Sequence, residues 1–225
     1  MLRGLFITGT DTDVGKTVAS AALLHRYREL TELRYWKPIQ TGVERDGLHS
    51  NDTVEVQRLS LCGDKGVREE GIRLQDPVSP HLAAKWSGIT IDLRQLIEWT
   101  DSANREDRWI VEGAGGVLVP VNDRETMADL MLMLCVPMVV VARSSLGTIN
   151  HTLLTLEAIR KRSLRVAGVI MIGTPNRENR KAIEHYGNVA VLGEMPRFDP
   201  LSAGVLAHWA AAELDPDRLL WEFLK

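Results

Sequence analysis

The chain has 225 residues, 44% hydrophobic and 25% charged, proportions that suit one globular α/β domain spanning 1–225. Its net charge of −3 gives no electrostatic reason to expect nucleic acid or an anionic membrane as a partner. The two cysteines, Cys62 and Cys135, form no C-x-x-C pair, which argues against a zinc or disulfide framework and for a reducing, cytoplasmic setting, and LFI running straight into TGTDTD is no signal peptide.

The first apolar run, Leu2–Thr8, reads as a strand and leads into Gly9-Thr10-Asp11-Thr12-Asp13-Val14-Gly15-Lys16-Thr17. A helix is expected from Lys16 to Leu30, with Val18, Ala21, Ala22 and Leu24 on one face. Strand, loop and helix carrying Gly-Lys-Thr make the context of a phosphate-binding loop. Backbone N–H groups would face the phosphates, Lys16 would neutralise their oxygens, and Thr17 would place its hydroxyl on Mg²⁺. The first glycine stands one residue early for G-x-x-x-x-G-K-[ST], with Thr10 in its place. Asp11 and Asp13 would repel phosphate, so they are expected to face a ribose, a metal-bound water or a cationic substrate.

Arg34–Pro38 reads as a short strand that brings Lys37 to the carboxyl edge, where it is either a ligand-facing or a solvated lysine. Asp52 opens a helix expected over Asp52–Cys62, as an N-cap or a metal ligand. Trp109–Glu112 reads as a strand ending on an acid, suited to Mg²⁺ beside the loop. The Gly113-Ala114-Gly115-Gly116 turn after it would let backbone approach phosphate or substrate. Met127–Ala142 reads as a helix and then a buried strand, Met138–Ala142, too interrupted by Asp129 and Pro137 to cross a bilayer. A helix over Ile149–Arg162, strands at Val166–Ile172 and Val189–Leu192, and a helical tail, Leu201–Leu224, broken at Pro216, complete the pattern. Such alternation predicts an α/β fold with a mostly parallel central sheet and helices on both faces, ligands binding beyond the strands' carboxyl ends.

Taken together, GTDTDVGKT, WKPIQTG, SNDTVEVQRL, DPVSPHLAA, EGAGGVLVPV, SLGTINHTLLT and LGEMP, in this order over about residues 4–198, resemble the dethiobiotin synthetase family. The loop with one residue too many is that family's form of the P-loop. The resemblance implies a P-loop-containing NTPase fold and a cytoplasmic ligase of biotin biosynthesis. It implies that 7,8-diaminopelargonic acid, CO₂ or bicarbonate and ATP, with Mg²⁺, give dethiobiotin, ADP and phosphate. Lys37, Lys16 and Thr12 are then the catalytic candidates. Thr17, Asp52 and Glu112 would hold the metal. Asp13, Val14, Gly15, Lys16, Thr17, Val18, Asp52, Glu112, Gly113, Ala114, Gly115, Gly173, Thr174, Pro196, Arg197 and Phe198 would bind nucleotide and metal. Thr41, Thr12 and Gly116 would contact the diamine, with Leu146, Gly147 and Asn150 supplied across a homodimer interface to its carboxylate tail.

One position departs from the family pattern: Ile172 occupies the slot of the asparagine that reads the adenine edge. The six histidines, His25, His49, His81, His151, His185 and His208, have no partner at metal spacing and read as structural or solvated. Two alternatives share the loop, an amidating enzyme of the cobyrinic acid amide synthase type and a partitioning or division-site switch. The amidating relatives carry a glutaminase cysteine, for which neither Cys62 nor Cys135 has the setting. The switches carry a signature lysine where this chain has Asp11.

Overall fold

The computed structural model describes residues 2–44, 51–101 and 106–225, so His49 lies outside the described residues. Every residue of the first strand, β1 (Gly4–Gly9), is buried. Leu5 and Ile7 join one apolar cluster while Phe6 joins another. Side chains alternate faces along a strand, so a strand apolar on both faces needs cover on both sides. The remaining strands are β2 (Leu33–Trp36), β3 (Ile39–Gln40), β4 (Val67–Arg68), β5 (Ile72–Arg73), β6 (Arg108–Gly116), β7 (Met138–Arg143), β8 (Val166–Ile172) and β9 (Val191–Met195). Seven of them form a parallel sheet in the order β4-β2-β6-β1-β7-β8-β9, and β3 pairs with β5 apart from it.

The helices are α1 (Lys16–Tyr27), α2 (Asp52–Ser60), α3 (Pro80–Trp86), α4 (Leu93–Asp101), α5 (Met127–Leu134), α6 (Thr148–Arg160), α7 (Arg177–Gly187), α8 (Ala203–Glu213) and α9 (Trp221–Leu224). Leu23, Val56, Leu206 and Leu224, from α1, α2, α8 and α9, cover the Leu5–Ile7 face. Ala83, Leu96, Met131, Leu156 and Ile183, from α3 to α7, cover the Phe6 face. The expected architecture is present, with helices on both faces of a parallel sheet. The C-terminal segment is tied to α1 through Asp215, whose carboxylate accepts from the Tyr27 hydroxyl and from the amides of Leu219 and Leu220 at 2.9 and 2.8 Å.

Several boundaries move from their expected places. α1 stops at Tyr27 rather than Leu30, and α2 at Ser60, because Leu61 turns left-handed with φ 55. β9 starts two residues after Val189 and runs on through Met195. The largest correction concerns β6, which does not end at Glu112 but continues through Gly116, so Gly113–Gly116 is strand and not a turn. Gly116 lies in register with Gly9, the last residue of β1. The sequence pattern does not anticipate α3, α4, α7 or the short β3, β4 and β5.

The tightest point of the sheet is Gly4, at φ 138, where an added Cβ would stand 1.9 Å from the Trp109 carbonyl oxygen. Gly4→Ala should therefore cost about 3 kcal/mol or more, read as a lower urea midpoint at constant slope. Gly204→Ala in α8 meets nothing within 4 Å and should be neutral or stabilise by up to about 1 kcal/mol. Equal effects at the two positions would contradict the packing argument.

Candidate active site

β1 delivers the chain at Gly9 and α1 takes it up at Lys16. Gly15 closes the loop at φ 96, and a Cβ there would come within 2.6 Å of Ile172 Cδ1. No side chain caps α1, and its first turn holds no acid, so its amides are left for an anion. The two loop carboxylates have separate surroundings. Asp11 accepts from the Thr12 amide at 2.8 Å and from Arg143 at 2.6 Å. The Thr12 amide and, with it, the Arg143 guanidinium hold its carboxyl below the usual range. Asp13, left-handed at φ 53, lines the adjoining cavity.

That cavity, about 720 Å³, lies at the carboxyl edge of β1, β2 and β6, and Glu112 is its most buried acid, 1% exposed. Thr17 Oγ1 lies 3.1 Å from Glu112 Oε1 and 3.1 Å from Asp52 Oδ1. Lys37 Nζ donates to Glu112 Oε1 and Asp52 Oδ2 at 2.7 Å each, and to the Gly113 carbonyl at 3.2 Å. All three ammonium protons are therefore placed. Asp52 itself is not the N-cap of α2. Asn51 is, accepting from the Thr53 amide at 3.0 Å, so the Asp52 carboxylate is left for Lys37 and Thr17.

Burial works against charge on Lys37, but Glu112 and Asp52 outweigh it and raise its pKa above the ordinary lysine value. Burial also opposes charge on Asp52, and here the Lys37 ammonium, with the Thr17 hydroxyl, lowers the pKa. Lys16, 7% exposed, goes the other way: burial and the neighbouring Lys37 charge lower its pKa. The pocket thus holds one lysine neutralised by carboxylates and a second that, among the described residues, has no carboxylate at contact distance.

The donor set suits Mg²⁺. Its bonds of 2.0–2.1 Å in octahedral geometry put neighbouring ligand oxygens about 3 Å apart, and it takes one or two carboxylates with substrate phosphates. Thr17 Oγ1, Asp52 Oδ1 and Glu112 Oε1 meet that spacing, at 3.1 Å from Thr17 to each. Among the described residues no group of three or more His, Cys, Asp or Glu is placed to form an all-protein cage.

Of the expected site residues, the cavity gathers Thr12, Asp13, Gly15, Lys16, Thr17, Val18, Lys37, Thr41, Asp52, Glu112, Ala114 and Gly115. Val14 is buried beneath the loop, and Gly113 and Gly116 do not line the cavity. The glycines of β6 answer first to packing. A Cβ on Gly113 would lie 2.8 Å from the Phe6 ring, and Gly115 has φ 67 with Val119 at 2.8 Å. Gly173 and Thr174 follow β8, and Pro196, Arg197 and Phe198 follow β9 on the same sheet edge, outside the cavity. Leu146, fully exposed, and Gly147 and Asn150 at the start of α6 also lie outside it. A second cavity, about 770 Å³, lies around His81, Asp92 and Asn122 and holds none of the expected residues.

Sequence reasoning missed three groups here. Tyr35 and Ser20 both reach Glu112 Oε2, at 3.0 and 2.9 Å, and Arg143 reaches Asp11. Two of them carried a signal. Tyr35 lies two residues before Lys37, hence on the same side of the chain, and Ser20 lies three after Thr17 on the same helix face. Arg143 had none, being 132 residues from its partner.

A family model described as an AAA domain matches residues 3–204. The ATP-dependent dethiobiotin synthetase BioD of Paramagnetospirillum magneticum is 45% identical over 207 residues, covering 92% of this chain and 94% of that protein. The protein of the same name from Agrobacterium fabrum is 42% identical over 92% of each. The biotin biosynthesis bifunctional protein BioCD of Bordetella avium is 42% identical over 97% of this chain, which spans 44% of that longer protein. Among solved structures, the septum site-determining protein MinD of Pyrococcus horikoshii, complexed with Mg-ADP, superimposes at TM-score 0.57 and 14% identity over 100% of this chain and 95% of its own. A ParA family ATPase of Chlorobium tepidum gives 0.56 at 11% identity over 93% and 98%. At such identities the structural likeness shows the fold alone.

The Lys16 surroundings set a pH dependence. If Lys16 holds a phosphate oxygen, that anion favours its protonated form, and nucleotide affinity then falls as pH rises through the lowered pKa of the free protein. ADP affinity by calorimetry should begin to decline below the ordinary lysine midpoint of about 10.4. In Lys16→Gln it should be weak and without that alkaline limb. A wild-type profile flat through that midpoint would contradict the assignment.

Proposed function

The chain belongs to the dethiobiotin synthetase family, and from that premise we propose that it closes the ureido ring of dethiobiotin from 7,8-diaminopelargonic acid, CO₂ and ATP. The observation that carries the reading is the buried Lys37 ammonium held 2.7 Å from both Asp52 and Glu112, in one cavity with Lys16 and Thr17. The reaction needs that convergence. CO₂ adds to one amine as a carbamate, the carbamate oxygen attacks the γ-phosphorus and releases ADP, and the second amine displaces phosphate from the carbonyl. Negative charge gathers on the transferring phosphoryl group and the carbamate, and fixed cations stabilise it.

Lys16 and the amides of the first turn of α1 hold the phosphates, and Lys37 stands where carbamate and γ-phosphate meet. Thr17, Asp52 and Glu112 would hold Mg²⁺, which supplies Lewis-acid neutralisation of the phosphate oxygens. All four of Asp13, Val18, Thr12 and Thr41 line the cavity; on this reading the first two serve the nucleotide and the last two the diamine. The nucleoside lies along Gly173, Thr174 and Pro196–Phe198 at the β8–β9 edge. Leu146, Gly147 and Asn150 serve the carboxylate tail of the substrate bound by a second copy, in a cytoplasmic homodimer. The whole span 1–225 acts as one domain.

Incubation with ATP, Mg²⁺, ¹³C-bicarbonate and the diamine should give dethiobiotin carrying the label, seen by mass spectrometry. Absence of labelled product would contradict the reading. Lys37→Ala should lower turnover by about 10²–10³-fold while ADP affinity stays within a few-fold.

Ile172 bears on the choice of base. Its side chain packs on Gly15 and offers no donor or acceptor. A site built to hydrogen-bond its ligand rejects analogues by 10⁴–10⁵. Here competition among ATP, GTP and CTP should show discrimination below about 100-fold. A larger preference for ATP would mean that backbone groups read the base.

A further inference from the structure

Glu112 presents two unlike oxygens. Oε1 lies on the cavity side, beside Thr17 and Lys37, both of which line the cavity. Oε2 faces inward to Ser20 and Tyr35, both fully buried and neither lining the cavity. The Tyr35 hydroxyl donates to Oε2 at 3.0 Å. The Ser20 hydroxyl stands 2.9 Å from Oε2 and 2.9 Å from the Lys16 carbonyl, and has one proton to share between them. Tyr35 is therefore the firmer donor.

We propose that Tyr35, seconded by Ser20, is a positioning residue for the metal, occupying Glu112 Oε2 so that Oε1 alone is offered to the ion. The inference rests on the reading of Glu112 as a metal ligand. Oε2 accepts from Tyr35 and shares the Ser20 proton with the Lys16 carbonyl, both partners lying away from the cavity, whereas the partners of Oε1, Thr17 and Lys37, line the cavity from which an ion would approach. Rotation of the carboxylate would break a charge-assisted bond inside the protein, where it is costly. Mg²⁺ demands near-ideal octahedral angles, which one fixed oxygen meets better than a carboxylate free to turn bidentate. Outer partners of metal ligands carry such effects elsewhere, at 10–100-fold in affinity. The strand geometry explains why a tyrosine serves. Tyr35 and Lys37 lie two residues apart and project to one side, so β2 and its exit supply both the donor behind Glu112 and the cation in front of it.

The test is Mn²⁺ binding to the protein–ADP complex, with protein in excess, read from the loss of the free-ion EPR signal, beside the Mg²⁺ dependence of turnover. Tyr35→Phe should weaken Mn²⁺ binding about tenfold, and raise the half-saturating Mg²⁺ concentration by a larger factor than kcat falls. Ser20→Ala should weaken it about threefold, and gives the same readout if Tyr35→Phe does not fold. Glu112→Gln separates the two claims. If it leaves Mn²⁺ binding unchanged, the metal-site reading fails. If it weakens binding while Tyr35→Phe and Ser20→Ala stay within twofold of wild type, or only lower the melting temperature, the positioning role is overturned and the metal site stands.

Discussion

A carboxylate with 1% exposure needs hydrogen-bond donors in place of water, and the Glu112 carboxylate organises the elements around it. α1 supplies Thr17 and Ser20, β2 supplies Tyr35, and the residue after β2 supplies Lys37. Leaving a buried charge without its partner costs about 3–5 kcal/mol. The carboxylate therefore adds to the apolar cores in fixing how β2, β6 and α1 sit together. Register completes the arrangement. Ile7 pairs with Glu112, so the loop leaving β1 two residues later opens beside the acid. The first turn of α1 and Lys37 meet at one place because Glu112 of β6, the neighbour of the central strand β1, is bonded to both.

Much of this was legible in the sequence because the signals are local. The MVVVA and VAGVIMI runs, the Gly-Lys-Thr at a helix start and the acid after an apolar run each declare a strand, a loop-to-helix turn or a cavity-lining acid within a few residues. The illegible parts depend on contacts distant in the chain. The role of Asp52 was undecidable between cap and ligand until Asn51 was seen to be the cap. The glycines after Glu112 read as a turn, whereas they are strand, with Gly113 pressed by Phe6 from the far end of the chain and Gly115 lining the cavity. Arg143 answers Asp11 across 132 residues. The nucleoside edge and the start of α6 stand apart from the cavity, and their roles come from the family pattern rather than from contacts within this chain.

The fold itself does not choose among P-loop chemistries, since the MinD and ParA proteins share it at 11–14% identity. The choice is made at the site. Switch ATPases bear a lysine at the position of Asp11, and here that carboxylate is held by the Thr12 amide and Arg143. The cations in this pocket come instead from Lys16 and from Lys37 beyond β2. Lys37 neutralises the Glu112–Asp52 pair, and on the proposed function it also stands where a carbamate-bearing substrate would meet the phosphates.

The most direct measurement is phosphate release from ATP with Mg²⁺ and bicarbonate, in the presence and absence of 7,8-diaminopelargonic acid. If one centre joins the phosphoryl group to the carbamate, release should depend on the diamine and match dethiobiotin one for one. Release at the same rate without the diamine would leave the phosphate cradle standing and contradict the account of what Lys37 and its two carboxylates are for.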